Sequence, residues 1–219
     1  MKTREIVLPG DELEERKGRK LSVGVYEEND KVFSKFLGIP RINENEISVI
    51  PLSGTYLPRF GDRIIGVIET VEVSGWFVDV NSPYSAFLPL SEAVEEFVDL
   101  QRAELTRYFD VGDIIFCRLS KVTKHKTVQA SMRDFESRKL RSGILFKVTP
   151  TKIPRIIGKE GSMIMMIKDK SKCEIVTGQN GLVWIRGENK EKALEAILTI
   201  EKESHTVGLT EKIEKMLGE

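Results

Sequence analysis

Residues 155–164 read RIIGKEGSMI. Gly158 and Gly161 stand three apart around a charged pair, Lys159 and Glu160, with apolar residues at helical spacing on both sides. The stretch predicts two helices joined by a short loop whose backbone lies bare. Glycine has no Cβ, so such a loop can approach a ligand closely. A helix that starts at Ser162 points its free N–H groups and the positive end of its dipole at the same place, which favours an anion. Lys159 adds a cation. Ile157, Met163, Ile164 and Ile167 are the residues that would hold the two helices on a sheet.

The surroundings supply that sheet. LFKVTP (145–150) reads as a strand and KIPRII (152–157) as a short helix, with Pro154 in the first turn, where its missing N–H costs nothing. SMIMMIKDKS (162–171) is a helix, CEIVTG and LVWIRG are strands around the turn GQNG, and a helix follows from Asn189 with Ala193, Ala196, Ile197 and Ile200 on one stripe. The order strand, helix, helix, strand, strand, helix with I-G-x-x-G-x-x-I between the first two helices resembles the KH fold. The resemblance implies that the loop clamps the backbone of about four nucleotides. The candidate contacts are Lys152, Arg155, Gly158, Lys159, Glu160, Gly161 and Ser162. Glu160 sets a negative charge beside the phosphate and predicts a weaker clamp than a neutral residue would give.

Residues 58–138 carry a different pattern. Phe60-Gly61-Asp62 opens RIIGVIETVEV, a Ser74-Gly75 turn leads to WFVDV, SAFLPL follows, and Val111-Gly112-Asp113 opens IIFCRLSKV, which turns at Lys124–Lys126 into TVQASMRD. A polar stretch from Ser91 to Arg107 reads as helical. Five short strands with an insertion after the third predict an OB-type barrel. These segments resemble the RNA-binding barrel named for ribosomal protein S-one, in which aromatics of the second and third strands stack on bases. Phe77 falls on a matching position, and it reads either as a stacking residue or as core. Ser74 and Pro89 replace the family's other common aromatic and its histidine. That leaves a depleted platform and shifts the expected burden to Lys121, Lys124, His125 and Lys126.

The first 57 residues predict a small all-β unit, with short β-branched runs at 21–28, 30–39 and 45–57 and a polar loop from Gly10 to Lys20. No run of apolar residues is long enough for a membrane helix, and the N-terminus lacks the apolar core of a secretory signal. Cys117 and Cys173 read as reduced core thiols in a cytoplasmic protein. The chain has equal numbers of acidic and basic side chains, 34 of each, unevenly placed. Between Arg118 and Lys172 there are 15 Lys/Arg against 4 Asp/Glu; between Tyr84 and Asp113 there are 2 against 7. The basic stretch fits either a polyanion partner or an ordinary solvated surface.

Gly178-Gln179-Asn180-Gly181 followed by Trp184 reads as a tight hairpin. It also resembles the KH domain of archaeal RNA exosome cap subunits related to ribosomal RNA-processing protein four, and that resemblance extends over nearly the whole chain. It implies an all-β N-terminal docking domain (1–57), an S-one-type barrel (58–138) and an α+β KH domain with a helical tail (143–219). It further implies that Gly178, Asn180, Gly181 and Trp184 join KH domain to barrel. The function implied is non-catalytic. Three copies would sit on a hexameric ring of phosphorolytic RNase subunits and feed it single-stranded RNA, A-rich tails included, without a cofactor or a membrane. An enzyme reading lacks support. His125 lies in a basic turn, His205 reads as a helix cap, and Glu92, Glu95, Glu96 and Asp99 read as a solvated helix face rather than a Mg²⁺ site. A free-standing RNA chaperone is the other reading, and it would not need a docking domain.

Overall fold

The computed structural model describes residues 6–94, 104–204 and 208–218. Two compact units make up the chain, Met1–Gly54 and Thr55–Glu219.

The first unit holds strands β1 (Glu12–Glu15), β2 (Lys20–Leu21), β3 (Val25–Glu28), β4 (Lys31–Ser34), β5 (Gly38–Ile42) and β6 (Glu46–Pro51). They form two three-stranded sheets, β1-β4-β3 and β2-β6-β5. Val25, Val32, Ile47 and Val49 form the core, with Val7, Leu13 and Leu21 packed against it. The stretch Gly10–Lys20 is therefore not a loop throughout. β1 pairs antiparallel with β4, half-buries only Leu13, and ties Glu12 to Lys31 at 2.9 Å. One inward apolar residue among acidic ones gives little strand signal, so cross-strand pairing decides. The single runs expected at 21–28 and 30–39 each divide between the two sheets, at Gly24 and before Gly38.

The second unit begins at Thr55 and Tyr56 joins the barrel core, so the boundary falls before the expected residue 57. Its phenol donates to Asp62 Oδ2 at 2.6 Å. Burial, followed by that bond and the carboxylate charge, raises its pKa well above the ordinary value. The barrel strands are β7 (Arg63–Glu72), β8 (Gly75–Asp79), β9 (Ala86–Pro89), then β10 (Ile114–Val122) and β11 (Val128–Ser131). The sheet order is β11-β9-β8-β7-β10, and a β10–β11 pairing closes it. Trp76, Ile64, Val78, Leu88, Cys117 and Leu119 fill the interior. The Trp76 indole donates to Phe109 O at 2.8 Å. A sixth strand, β12 (Arg138–Leu140), adds to the edge of β10; at three residues it is too short to show alternation. Of the helix expected over 91–107, the described residues hold α1 (Leu90–Ala93) and a 3-10 turn at Leu105–Arg107; residues 95–103 lie outside the described residues. Glu95, Glu96 and Asp99 lie outside the described residues, as does His205.

The KH part follows the expected order: β13 (Ile144–Lys147), α2 (Ile153–Ile157), α3 (Ser162–Ser171), β14 (Glu174–Thr177), β15 (Leu182–Arg186), α4 (Lys190–Lys202) and a closing helix α5 (Leu209–Gly218). The sheet order is β13-β15-β14. Ala193, Ala196, Ile197 and Ile200 are fully buried, and Leu209, Ile213 and Leu217 of α5 complete that core.

Barrel and KH domain share a seam. Ile65, Phe116 and Leu140 from the barrel pack with Val176, Leu182 and Trp184 from the KH sheet. Asn180, at the β14–β15 turn, is fully buried. Its Nδ2 donates to Ile65 O at 2.6 Å and Val80 O at 2.9 Å, and its Oδ1 accepts from Ile65 N at 3.3 Å. The β7–β8 ladder begins at Val67 and Asp79, so beyond it the Asn180 amide takes the place of a strand partner. Gln179 exchanges two bonds with the Arg63 backbone, at 2.7 and 2.9 Å. Gly178 must be glycine, because a Cβ there would lie 2.6 Å from Ile65 N.

Candidate nucleic-acid interface

Strand alternation fixes what the barrel shows to solvent. On β8, Trp76 and Val78 point inward and Phe77 outward; on β9, Ala86 and Leu88 point inward and Phe87 outward. Phe77 is 40% exposed, which excludes the core reading for it. Phe87 is its direct cross-strand partner, and the two rings sit 5.2 Å apart, tilted by 55°. The outer face thus carries a second aromatic beside Phe77. The in-out alternation of SAFLPL marks Phe87 as outward.

Register extends the row. Thr70 opposes Phe77, Phe77 opposes Phe87, Gln129 lies beside Phe87, and Lys121 opposes Gln129. This belt crosses the outer face from β7 to β10 and ends on a cation. Lys121, Lys124, His125 and Lys126 are all exposed. Lys126, at the hairpin tip with φ +64°, sets its ammonium 5.8 Å from the Tyr84 ring. A pair of aromatic faces bordered by exposed cations suits single-stranded nucleic acid, in which bases stack and phosphates meet cations.

The second cluster is the glycine loop. Gly158 has φ +77° and ψ 178°, and a Cβ there would lie 2.7 Å from the Met163 Cβ, so only glycine fits. Lys159 to Gly161 form one 3-10 turn, with Glu160 itself left-handed at φ +53°. Lys159, Glu160 and Ser162 are exposed. No side chain caps α3; the Ser162 N–H donates to Lys159 O within the turn. Met163 and Ile167 anchor the helix in the core. Arg155 is exposed on α2. Lys152 is half-buried and donates to Ser204 Oγ at 2.8 Å, which directs it toward the end of α4. Gly178, Asn180, Gly181 and Trp184 do not join either cluster; Gly178, Asn180 and Trp184 make the seam that holds the two clusters on one body, whereas Gly181 packs within the KH domain, where a Cβ would lie 2.5 Å from Val148 O. Among the described residues no group of His, Cys, Asp and Glu is arranged to hold a metal ion.

Comparison with known proteins agrees with this layout in each part. Residues 143–191 match the KH domain, residues 55–121 the RRP4 S1 domain, and residues 4–53 the N-terminal domain of the exosome RNA-binding protein RRP4. The exosome complex component Rrp4 of Pyrococcus furiosus is 41% identical over 225 residues, covering 99% of this chain and 84% of that one. The chain belongs to the Rrp4 family. Another Rrp4 relative, from Methanobrevibacter smithii, is 43% identical over 223 residues, covering 100% of this chain and 72% of that protein. A crystal structure described as an exosome complex RNA-binding protein superposes with a TM-score of 0.69 at 28% identity, covering 75% of this chain and 96% of its own. The Rrp4 family thus accounts for all three parts of the chain, and the seam turn explains why the barrel and KH parts come as one unit.

Proposed function

We propose that this chain is the RNA-binding, non-catalytic cap subunit of an archaeal exosome. It captures single-stranded RNA, including A-rich tails, and delivers the 3′ end to a phosphorolytic ring. The observation that carries this reading is the exposed Phe77–Phe87 pair, bordered by the Lys121–Lys126 hairpin, on a barrel locked to the domain that bears the Gly158–Gly161 loop. Two weak contacts on one rigid body hold a strand far better than either alone, and several copies on a ring add to that.

The first unit supplies the docking surface in this reading. Ile6, Leu8, Val23, Phe36, Leu37 and Ile50 are all exposed there. The Val7–Gly38 bridge and the Ile39–Ile50 pairing bring Leu8, Leu37 and Ile50 toward one edge. Exposed apolar residues gathered in this way fit a protein partner better than solvent. The ring RNase subunits are the proposed partner, with three cap subunits per ring. The free, buried thiols Cys117 and Cys173 fit a reducing cytoplasm.

The test is reconstitution. The chain should co-elute with ring subunits on size exclusion, leave RNA intact on its own with Mg²⁺ or phosphate, and lower the KM of the ring for single-stranded RNA. Failure to co-elute, with RNA binding retained, would make it a free-standing RNA chaperone. Hydrolysis by the rigorously purified chain would make it an enzyme.

A further inference from the structure

The barrel–KH seam builds a cluster that neither the aromatic belt nor the glycine loop uses. Arg63 on β7 and Arg118 on β10 stand directly opposite each other. Two residues along each strand, Ile65 and Phe116 lie in the seam core, so both arginines follow on that same outward face. Like charges at opposed positions repel. Arg63 is neutralised twice, by Asp134 at 3.1 Å and by Glu136 at 2.7 Å. Arg118 is exposed and has no carboxylate partner among the described residues. Its guanidinium lies near Gly61, where a Cβ would meet only Arg118 Nη2, at 3.7 Å.

Phe135 sits between the two acids that grip Arg63. It is 87% exposed, more than any other large apolar side chain among the described residues. One face of its ring lies over the Arg63 guanidinium, 5.9 Å from the centroid, and Gln179 of the seam turn fixes the Arg63 backbone from below. The ring is therefore held against a cation on one side and is free on the other. An isolated exposed phenylalanine means little. Here the ring lies over an arginine held by two ion pairs, and the residue opposite that arginine, Arg118, has no carboxylate partner among the described residues, so an aromatic face and a free cation occupy the same outward face of the β7–β10 pair.

We propose that Phe135 and Arg118 form a contact for one nucleotide of single-stranded RNA, separate from the belt and from the glycine loop. The base stacks on the free face of Phe135, and its phosphate meets Arg118. The inference rests on the reading of this chain as an RNA-binding protein. The uncompensated charge at this place is positive, which fits a polyanion rather than an apolar protein surface. Because Gln179 and Arg63 belong to the seam, the contact depends on the KH domain being docked.

The experiment uses the full chain and Phe135→Trp as a reporter. The native tryptophans, Trp76 and Trp184, are buried, so an indole at the surface responds separately to quenchers. A dye-labelled single-stranded RNA of mixed sequence reports total binding by anisotropy. RNA should quench the new indole and protect it from acrylamide in step with the anisotropy change. Phe135→Ala should lower affinity by about 5- to 100-fold, and Arg118→Ala should reduce the single-strand salt slope by about 0.7, both with unchanged melts. Anisotropy change without an indole response, and with unaltered affinity in both variants, overturns this contact while leaving RNA binding intact. Loss of all binding in the wild type overturns the reading beneath it. Unchanged RNA affinity with weakened ring assembly in Phe135→Ala overturns it in favour of a protein contact.

Discussion

Replacing Asn180 by alanine probes the joint on which the two RNA faces depend. The side chain is fully buried and makes three hydrogen bonds to the barrel backbone. Asn180→Ala strips partners from the Ile65 N–H, the Ile65 carbonyl and the Val80 carbonyl. Each buried polar group left unpaired costs about 1–3 kcal/mol, and the three are close enough that their costs do not simply add. The backbone exchange between Gln179 and Arg63 and the bond from Asn81 Nδ2 to Asn180 O survive. The net loss is therefore about 3–4 kcal/mol, or ~6–16 °C in Tm for a unit of this size. Differential scanning calorimetry of the full chain measures it. Asn180→Asp sharpens the test, because it keeps the acceptor but turns a carboxylate oxygen toward two carbonyls; it should destabilise at least as much as alanine at neutral pH. A Tm shift below ~3 °C for alanine, or an aspartate variant milder than alanine, would refute the assigned hydrogen bonds.

Trp76→Ala should cost about 3–5 kcal/mol, while its neighbour Phe77→Ala should cost about 1 kcal/mol and weaken RNA binding by about 5- to 100-fold; melts and anisotropy separate the two. The paired change Lys159→Asp with Glu160→Asp should lower affinity by about ten- to a hundredfold with a stability change under ~0.5 kcal/mol, whereas Glu160→Gly, which relieves a left-handed residue and removes a negative charge, should stabilise by about 0.5–1 kcal/mol and tighten binding. Burial pushes the Cys117 thiol up from 9.0 to about 12, so the folded chain keeps that proton longer than the unfolded chain does. Its contribution to stability is complete below pH 9 and is lost as pH rises toward 12, and alkaline melts of wild type should fall more steeply than those of Cys117→Ala.

The KH part was legible because its signals agree. Glycine spacing, the Pro154 start, the stripe through Ala193 and Ile200, and the Asn-Gly turn each point to the same order of elements, and α3 falls on the expected residues, Ser162–Ser171. The first unit was less legible. β1 is acidic and buries almost nothing, so only its pairing with β4 makes it a strand. Phe77 was ambiguous because WFVDV places two aromatics next to each other, and alternation decides which one faces in only when the register is known. Phe87 is not marked by family position, which puts the other common aromatic at Ser74; only the alternation along β9 turns it outward. The seam could be read only through resemblance. Nothing local to GQNG says that its asparagine will serve a backbone 115 residues away.

The measurement that tests the account most directly is a titration of one labelled single-stranded RNA at fixed salt with four proteins. They are the wild type, Phe77→Ala, the Lys159→Asp and Glu160→Asp pair, and the variant carrying all three changes. If belt and loop hold the same strand on one rigid body, each partial variant weakens binding and the combined variant loses about the product of the two factors, since distant contacts add in free energy. A combined variant that binds no more weakly than the weaker partial one would mean that the strand never engages both faces, and the account of this chain as a two-point RNA clamp would be wrong.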